Sequence, residues 1–311
     1  MDLKYTIIIP HYNSPNSLSV LLSSIPTIPE IQVIVIDDNS AKELDRFEQV
    51  KHENTHAEFY INETGKQSAG ACRNVGLTHA KGKWVLFADA DDYFTEGFLQ
   101  HLESYYNDNS DVVFFTPTSM NTFTHKKSSR HVLYAGLIRK YLKKPNRKNE
   151  LNLKYRFGVV WSKMIRRDFI VQNHLEFEAV SVSNDIMFST KLGNCLRSFQ
   201  ITDRVIYCVT KNIRTLTTTV KESNLDTRVE VLVRRYDFLR QALTKKELKQ
   251  IEFTTNILLF EALMGFGFKK FIKVLTIYRK NRIKLDRIGF SYLVLGIRVF
   301  KDRIRLYLPQ K

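Results

Sequence analysis

Three carboxylates, Asp89, Asp91 and Asp92, directly follow an apolar run at residues 84–88. A short apolar run that ends in acids is typical of a buried strand, and in an open α/β sheet ligands bind beyond the carboxyl ends of the strands. Carboxylates this close repel one another unless a cation neutralises them, and their oxygens suit hard ions such as Mg²⁺ or Mn²⁺. The segment therefore predicts a divalent metal site that also holds phosphate. The alternative is a solvated acidic turn that caps a helix starting near Thr95.

A second pair of acids, Asp37 and Asp38, follows a predicted strand at residues 32–36. Because parallel strands end at the same edge of a sheet, both acidic segments are expected at one edge, where a nucleotide would bind. Asp38 could accept hydrogen bonds from a base or from ribose hydroxyls, a common use of an acid after a strand in nucleotide-binding folds. The sequence contains neither GxGxxG nor GxxxxGK[ST], so neither a dinucleotide fingerprint nor a P-loop explains this edge.

The surrounding sequence alternates between short apolar strands and helices. Ser14 and Pro15 predict a helix start, with Ser14 as the N-cap and Pro15 as the first helical residue. Further strands are predicted at residues 5–9, 58–61 and 111–115, and further helices at 70–80 and 98–106. This alternation predicts βαβ units and an α/β fold with a mainly parallel sheet. After Asn121 the composition shifts to Lys, Arg, Asn and Ser, with a loop or linker expected around residues 143–148.

Charge divides the chain into an acidic and a basic part. Residues 1–120 carry 8 Lys and Arg against 17 Asp and Glu, whereas residues 121–311 carry 40 against 15. An acidic part that can hold a metal is thus joined to a basic part that can attract phosphates, anionic lipid or nucleic acid.

Cysteine usage and hydropathy bear on where the protein works. Cys72, Cys195 and Cys208 form no CxxC pair and are expected to be reduced, which favours a cytoplasmic location. The chain enters a predicted strand within five residues of Met1, so no signal peptide is expected. Apolar stretches at 253–268 and 288–297 are shorter than the ~20 residues that a membrane-spanning helix needs.

Six segments occur in an order that resembles the family 2 glycosyltransferases of the GT-A fold, of the bacterial surface-polysaccharide type. They lie within residues 5–190, and although each is weak alone, the six in this order make a strong match. In chain order they are Thr6-Ile7-Ile8-Ile9-Pro10-His11-Tyr12-Asn13, Val35-Ile36-Asp37-Asp38-Asn39-Ser40, Ala69-Gly70-Ala71-Cys72-Arg73-Asn74-Val75-Gly76-Leu77, Asp89-Ala90-Asp91-Asp92, Trp161-Ser162-Lys163 and Asn184-Asp185. The resemblance implies a Rossmann-like, mainly parallel sheet with flanking helices over residues 1–215. For residues 216–311 it says little, and the basic, amphipathic character of the sequence there predicts a helical extension.

The resemblance also implies transfer of a sugar from a nucleotide diphosphate donor with inversion at the anomeric carbon. Asp185 matches the catalytic base, and Asn184 stands where the family often has Glu. Asp91 and Asp92 would hold Mn²⁺ or Mg²⁺. The residues expected to line the nucleotide sugar are Pro10, Tyr12, Asp37, Asp38, Lys66, Arg73, Asp89 and Asp91. For Lys66 and Arg73, surface or packing contacts are an equal alternative.

Trp161 and Lys163 are the candidate acceptor residues. The indole could form a sugar-stacking platform, but core packing is the more common role of a Trp. The resemblance favours a UDP-hexose or UDP-N-acetylhexosamine as donor and a growing, lipid-linked surface glycan as acceptor.

Two other functions stay open. A sugar-nucleotide pyrophosphorylase would carry a Gly-rich phosphate loop after the first strand, which Pro10-His11-Tyr12-Asn13 lacks, and a nucleic-acid-binding protein would carry a recognised motif, which is absent from the sequence.

The C-terminal segment is basic and amphipathic. Residues 262–311 hold 13 Lys and Arg against two acids, Asp286 and Asp302. Apolar residues are interleaved with these charges, among them Phe268, Ile272, Ile288, Phe290 and Leu293. Helices of this type lie in a membrane interface, so the segment predicts peripheral attachment to the inner face of the plasma membrane. The alternatives are packing within the protein or a homodimer contact.

Overall fold

A computed structural model describes residues 3–211 and 221–285 of the chain. The chain divides into two compact units, residues 1–211 and 212–311. The predicted boundary between residues 215 and 216 lies outside the described residues, so its position stays a prediction. No helix within the described ranges is both long enough and apolar enough to cross a bilayer.

The first unit contains eight strands and eight helices within residues 3–211. The strands are β1 (Tyr5–His11), β2 (Ile31–Asp37), β3 (Ala57–Ile61), β4 (Trp84–Phe87), β5 (Tyr93–Phe94), β6 (Val112–Asn121), β7 (Lys163–Arg166) and β8 (Phe199–Lys211). The helices are α1 (Pro15–Ser23), α2 (Leu44–Glu53), α3 (Ala69–His79), α4 (Phe98–Glu103), α5 (Val132–Lys143), α6 (Arg147–Arg156), α7 (Arg167–Gln172) and α8 (Asn184–Cys195).

The strands form one mixed sheet in the order β3-β2-β1-β4-β7-β6-β8-β5. Strands β3, β2, β1 and β4 are parallel neighbours, β7 is antiparallel to both β4 and β6, and β8 is parallel to β6. The carboxyl ends of β1, β2 and β4 therefore lie along one edge. The acidic segments after β2 and β4 therefore end at the same edge, as expected from the sequence, with β1 between the two strands.

Two apolar cores cover the two faces of the sheet. Successive residues of a strand point to opposite faces, so Ile7 and Ile9 join one core while Ile8 joins the other. Every residue of β2 and β4 is buried, as expected of parallel strands with helices on both faces. The three cysteines are free thiols, and Cys72 and Cys208 are buried.

Helix starts follow local capping chemistry in part. The Ser68 hydroxyl caps α3 by accepting from the Ala71 amide at 3.1 Å. Ser14 is the N-cap and Pro15 the first residue of α1, as predicted, although the Ser14 side chain makes no capping hydrogen bond. The linker expected at residues 143–148 is reduced to residues 144–146, between the end of α5 and the start of α6. Asn146 caps α6 by accepting a hydrogen bond from the Asn149 backbone amide.

The second unit is helical within residues 221–285. Its helices are α9 (Glu222–Ala242), α10 (Lys245–Gln250) and α11 (Asn256–Lys280). Gly267 breaks α11 into two segments, because its φ of 83° is not helical. Ion pairs join α9 to α11, with Arg228 on Glu261 at 2.8 Å and Lys270 on Asp226 at 2.6 Å. The predicted apolar positions Ile288, Phe290 and Leu293 lie outside the described residues.

Candidate active site

At the carboxyl end of β2, Asp37 is used to hold the neighbouring loops. Its Oδ1 is 2.8 Å from His11 Nδ1 and accepts a hydrogen bond from the Ser40 hydroxyl at 2.6 Å. Burial alone would raise the pKa of Asp37, but the hydrogen bonds from His11 and Ser40 keep it below its usual value. These contacts favour a structural role for Asp37 over the direct nucleotide contact expected from the sequence.

Asp38 lies beside the loop that follows β3. Its Oδ1 accepts from the Asn62 amide at 2.6 Å, and the Gln67 amide donates to its backbone carbonyl at 3.0 Å. Asn62 also donates to the Lys66 carbonyl at 3.0 Å, while the Lys66 side chain is exposed. The loop therefore positions Asp38 at the sheet edge, where Pro10 is half-buried and Tyr12 is 49% exposed.

The acids after β4 have different surroundings. Asp89 forms an ion pair with Arg73 at 2.5 Å, and its backbone amide donates to the Tyr207 hydroxyl at 2.8 Å. Asp91 is half-buried, and its pKa is raised by burial and by the charge of Asp89, against the opposing charge of Arg130. The repulsion predicted from the sequence is thus present between Asp89 and Asp91.

Asp92 faces the interior instead. It is 2% exposed and its Oδ1 accepts from the Thr210 backbone amide in β8 at 2.7 Å. Burial, with the charges of Asp91 and Asp89, raises its pKa well above the usual range. A carboxyl group enclosed in this way ties the acidic turn to β8, which argues against the metal-ligand role predicted for Asp92.

The donor set at this edge fits a divalent cation in part. Among the described residues, no three His, Cys, Asp or Glu side chains converge into a complete metal site. Asp89 and Asp91 offer hard oxygen donors whose mutual repulsion a cation would relieve. Mg²⁺ is usually held by one or two carboxylates together with substrate phosphates. The arrangement therefore fits a cation that arrives with a diphosphate.

Arg73 connects these acids to the start of α8. Its guanidinium donates to Asp89 and, through Nη1, to the Asn184 side-chain carbonyl at 2.8 Å. Arg73 is 5% exposed and its bond to Asn184 is buried, whereas the Asp89 side chain is 32% exposed. The contact joins residues that are 111 positions apart in the sequence. It places the acids after β4 and the N-terminus of α8 at one site.

Asp185 lies in the first turn of α8, immediately after Asn184. It is half-buried, and burial raises its pKa above the usual value, while Arg73 and Lys163 lower it and Asp89 raises it further. A carboxylate with a raised pKa is a better proton acceptor near neutral pH than an ordinary one. The residue before the helix, Ser183, has a φ of 60°, an uncommon backbone conformation that often accompanies a functional site.

Close packing of α3 fixes the same segment. A Cβ added at Gly70 would lie 2.3 Å from the Glu178 carbonyl oxygen and 2.9 Å from the Asn184 Cβ. Only a residue without a side chain therefore lets α3 approach the chain just before Asp185.

The two candidate acceptor residues point into the protein. Trp161 is 5% exposed, and its ring lies parallel to that of Tyr207 with 6.0 Å between centroids. The Lys163 ammonium donates to the carbonyls of Phe157 at 2.9 Å and Val159 at 2.7 Å. Burial lowers the pKa of Lys163 to about 7, against the opposing charge of Asp185. These positions favour core packing for Trp161 and a loop-holding role for Lys163 over direct contact with an acceptor.

Sequence reasoning missed three residues that shape the site, namely Tyr207, Thr210 and Arg130. Tyr207 and Thr210 belong to β8, whose apolar run at residues 205–209 is a strand signal. Arg130 donates to the Thr210 carbonyl at 2.6 Å and its charge acts on Asp91. The strand could have been found from that run, but its partners could not.

The family model for glycosyl transferase family 2 matches residues 6–172, more than half of the chain. The chain belongs to this family. Family membership confirms the resemblance seen in the sequence motifs. The match includes Asp38, Arg73, Asp89 and Asp91, and it ends before Asp185.

Curated relatives match over shorter segments. Poly(ribitol-phosphate) beta-N-acetylglucosaminyltransferase TarS of Staphylococcus aureus is 30% identical over 124 residues, which are 38% of this chain and 22% of TarS. The UDP-Glc:alpha-D-GlcNAc-diphosphoundecaprenol beta-1,3-glucosyltransferase WfgD of Escherichia coli is 32% identical over 101 residues, covering 32% of this chain and 39% of WfgD. The matched segments thus span well under half the length of these two relatives.

Solved structures share the fold. Residues 1–349 of S. aureus TarS in complex with UDP-GlcNAc align with a TM-score of 0.62 at 19% identity, covering 97% of this chain and 81% of that chain. The mannosyltransferase PcManGT from Pyrobaculum calidifontis, in complex with GDP-Man and Mn²⁺, aligns with a TM-score of 0.54 at 12% identity, covering 100% and 89%. These alignments confirm the predicted GT-A fold.

Proposed function

We propose that the protein is an inverting glycosyltransferase that moves a sugar from a nucleoside diphosphate to a hydroxyl group of a glycan. The observation that carries the proposal is the bridge from Arg73 to both Asp89 and Asn184, at 2.5 and 2.8 Å. It brings carboxylates suited to a donor diphosphate and its metal next to the helix turn that holds Asp185. Family membership favours this function over a pyrophosphorylase or a nucleic-acid-binding protein.

Asp185 is the proposed catalytic base. An inverting displacement needs one carboxylate that takes the proton of the acceptor hydroxyl on the face opposite the leaving group. Burial raises the pKa of Asp185, which strengthens it as a proton acceptor, and Arg73 and Lys163 oppose this shift. Unlike glycoside hydrolysis, the reaction needs no second carboxylic acid to protonate the leaving oxygen.

Asp89 and Asp91 are the residues that would hold Mn²⁺ or Mg²⁺ with the donor. The bound cation would neutralise negative charge that develops on the departing nucleoside diphosphate. Asp38 and Pro10 would line the base and ribose, and Arg73 would keep Asp89 oriented. Asp92 is left out of the ligand set because its carboxyl group is enclosed against β8.

The donor is proposed to be a UDP-hexose or a UDP-N-acetylhexosamine. The fold is shared with TarS in complex with UDP-GlcNAc, and WfgD is named for transfer from UDP-Glc to a diphosphoundecaprenol-linked sugar. We extend this to a lipid-linked surface glycan as acceptor. The protein would then act at the cytoplasmic face of the plasma membrane as a peripheral protein.

The test is nucleotide release from a panel of UDP- and GDP-sugars, with and without Mn²⁺ or Mg²⁺ and a synthetic lipid-linked acceptor. We expect release that requires both metal and acceptor, and a product whose anomeric configuration, read by NMR, is the opposite of the donor's. Asp185→Asn should keep UDP affinity and lose about 10²- to 10⁴-fold in transfer rate, because the amide accepts no proton.

Asp168→Asn is the matched control, since Asp168 lies in α7 with its side chain 67% exposed. It should transfer sugar at the wild-type rate. A near wild-type rate for Asp185→Asn would remove Asp185 as the base. Nucleotide release that occurs with every donor and requires neither metal nor acceptor would contradict the proposed reaction.

A further inference from the structure

The second segment of α11, residues 268–280, has one face packed within the C-terminal unit. Lys270, Val274 and Tyr278 recur every four residues on this face, and all three are buried. The Lys270 ammonium lies 2.7 Å from Glu222 and 2.6 Å from Asp226 of α9. The packed face fixes which side of the helix points away from α9.

The opposite side carries apolar residues in water. Phe268 is 68% exposed and Ile272, one turn later, is 42% exposed. Phe268 lies about 200° around the helix axis from the buried Lys270, and Ile272 lies about 200° from the buried Val274. Lys269 and Lys273 are exposed beside them. We call Phe268, Lys269, Ile272 and Lys273 the basic apolar face.

Positive charge extends along the chain beyond this face. Residues 268–285 contain seven Lys and Arg and no Asp or Glu. Lys270 is occupied by its ion pairs with α9, and the other six are exposed. They are Lys269, Lys273, Arg279, Lys280, Arg282 and Lys284.

We propose that the basic apolar face docks on the surface of an anionic lipid bilayer. Phe268 and Ile272 would enter the boundary between head groups and acyl chains, while the lysines would meet anionic head groups. The inference deepens the peripheral attachment in the proposed function and rests on it for the biological role. It identifies which described residues make the contact.

Charge complementarity selects lipid over other occupants. A second copy of the chain would bring the same cluster of cations to a two-fold interface, and like charges facing each other repel. Nucleic acid would satisfy the cations and could stack a base on Phe268, but it would leave the exposed aliphatic side chain of Ile272 without an apolar partner. An anionic bilayer offers an apolar layer directly beneath its charges, so it matches both features of the face.

The experiment is flotation of the full chain with vesicles of phosphatidylcholine, with and without phosphatidylglycerol. The wild type should float with the anionic vesicles and release in high salt. Lys269→Gln with Lys273→Gln should reduce the partition coefficient about 25-fold, since each cation contributes about fivefold, which corresponds to about 1 kcal/mol. Phe268→Ala should reduce it by at least about tenfold.

Matched controls lie elsewhere on the protein. Lys245→Gln with Lys246→Gln removes two exposed lysines from α10, and Phe123→Ala removes an exposed aromatic ring. Both controls should float like the wild type. Circular dichroism and thermal melting should show that every variant is folded, because all these side chains are exposed.

Residues 286–311 are present in every variant, so the comparison isolates the basic apolar face. The inference is overturned if the wild type ignores anionic vesicles, if the face variants float like the wild type, or if the controls lose binding equally. A concentration-dependent dimer that Phe268→Ala dissociates would assign the face to a second copy instead. If the protein binds vesicles but transfers sugar from no nucleotide sugar, the proposed function is refuted and this inference is not. If it transfers sugar to a short-chain acceptor but does not bind vesicles, this inference is refuted and the proposed function is not.

Discussion

Replacing Arg73 should both destabilise the N-terminal unit and disconnect the two halves of the proposed site. The guanidinium reaches Asp89 with Nη2 and Asn184 with Nη1, a span that a single ammonium group does not reproduce. Arg73→Lys therefore keeps the charge but loses one of the two bonds. Arg73→Met keeps much of the apolar stem and loses both.

The size of each effect follows from burial. A hydrogen bond to a charged group contributes about 1.5–3 kcal/mol, so Arg73→Lys should lower the free energy of unfolding by about 2 kcal/mol. Breaking a buried ion pair costs about 3–5 kcal/mol. The Asp89 side chain is 32% exposed, so water offsets part of that cost and about 3 kcal/mol is expected for Arg73→Met. In a unit of this size that corresponds to a fall in Tm of about 6–12 °C.

The activity should fall more than donor binding. Without the bond to Arg73, the first turn of α8 loses the contact that fixes Asn184, and the adjacent Asp185 can shift. A displacement of about 1 Å in a reacting group can lower the rate by about 10²-fold. Urea unfolding, UDP titration by calorimetry and steady-state transfer rates measure the three effects. Arg46→Met is the control, because it removes a partly exposed ion pair with Glu53 that should contribute at most about 1 kcal/mol.

Two results would refute this reasoning. Arg73→Lys with wild-type unfolding and a wild-type kcat would show that the bridge does not matter in solution. Arg73→Met that loses stability but keeps kcat would leave Arg73 as a packing residue with no effect on Asp185.

Three further predictions concern the metal, pH and close packing. Asp91→Asn should abolish the increase in UDP affinity across a Mn²⁺ titration, whereas Asp92→Asn should retain it; equal loss in both would restore Asp92 as a ligand. Burial lowers the pKa of Lys163 to about 7 from 10.5, so the unfolded chain binds more protons between these pH values and the free energy of unfolding should rise with pH there. The slope is at most about 1.4 kcal/mol per pH unit, and a urea-unfolding series should show that Lys163→Met lacks this increase. Gly70→Ala and Gly76→Ala should both destabilise the unit, because added Cβ atoms would lie 2.3 Å from the Glu178 carbonyl and 2.4 Å from Ile8 Cγ2. Gly70→Ala should also lower kcat, since it alone of the two presses on Asn184, and equal kcat values would contradict that distinction.

The first half of the sheet could be predicted because its strands are buried throughout. All of β2 and β4 and most of β1 are buried, so selection for core packing leaves continuous runs of apolar and β-branched residues. β8 was not predicted, since charged and half-buried residues interrupt its first part. Its pairing with β6 and β5 joins distant parts of the chain, and no local pattern encodes such a pairing.

The acidic edge could be predicted, but the role of each carboxylate could not. Asp91 and Asp92 are adjacent and chemically identical in the sequence. A backbone amide of Thr210, 118 residues later, turns Asp92 inward, while Asp91 stays half-buried at the edge. Trp161 likewise lies against Tyr207, a partner that its own neighbourhood in the sequence does not reveal. Spacing predicts where a strand ends, whereas the orientation of a side chain depends on residues that only the fold brings near.

The acids of the site differ because their surroundings assign them different tasks. Hydrogen bonds from His11 and Ser40 lower the pKa of Asp37, so this carboxylate stays charged and holds two loops together. Burial raises the pKa of Asp185, which makes it a stronger proton acceptor than an ordinary carboxylate. Arg73 restrains that rise and at the same time neutralises Asp89, so one buried cation acts on both the donor acids and the base. The residue before Asp185 is the neutral Asn184, which accepts a hydrogen bond from Arg73 without adding a further negative charge. The positive charge of Arg73 therefore acts on Asp89 and Asp185 alone among the acids of this segment.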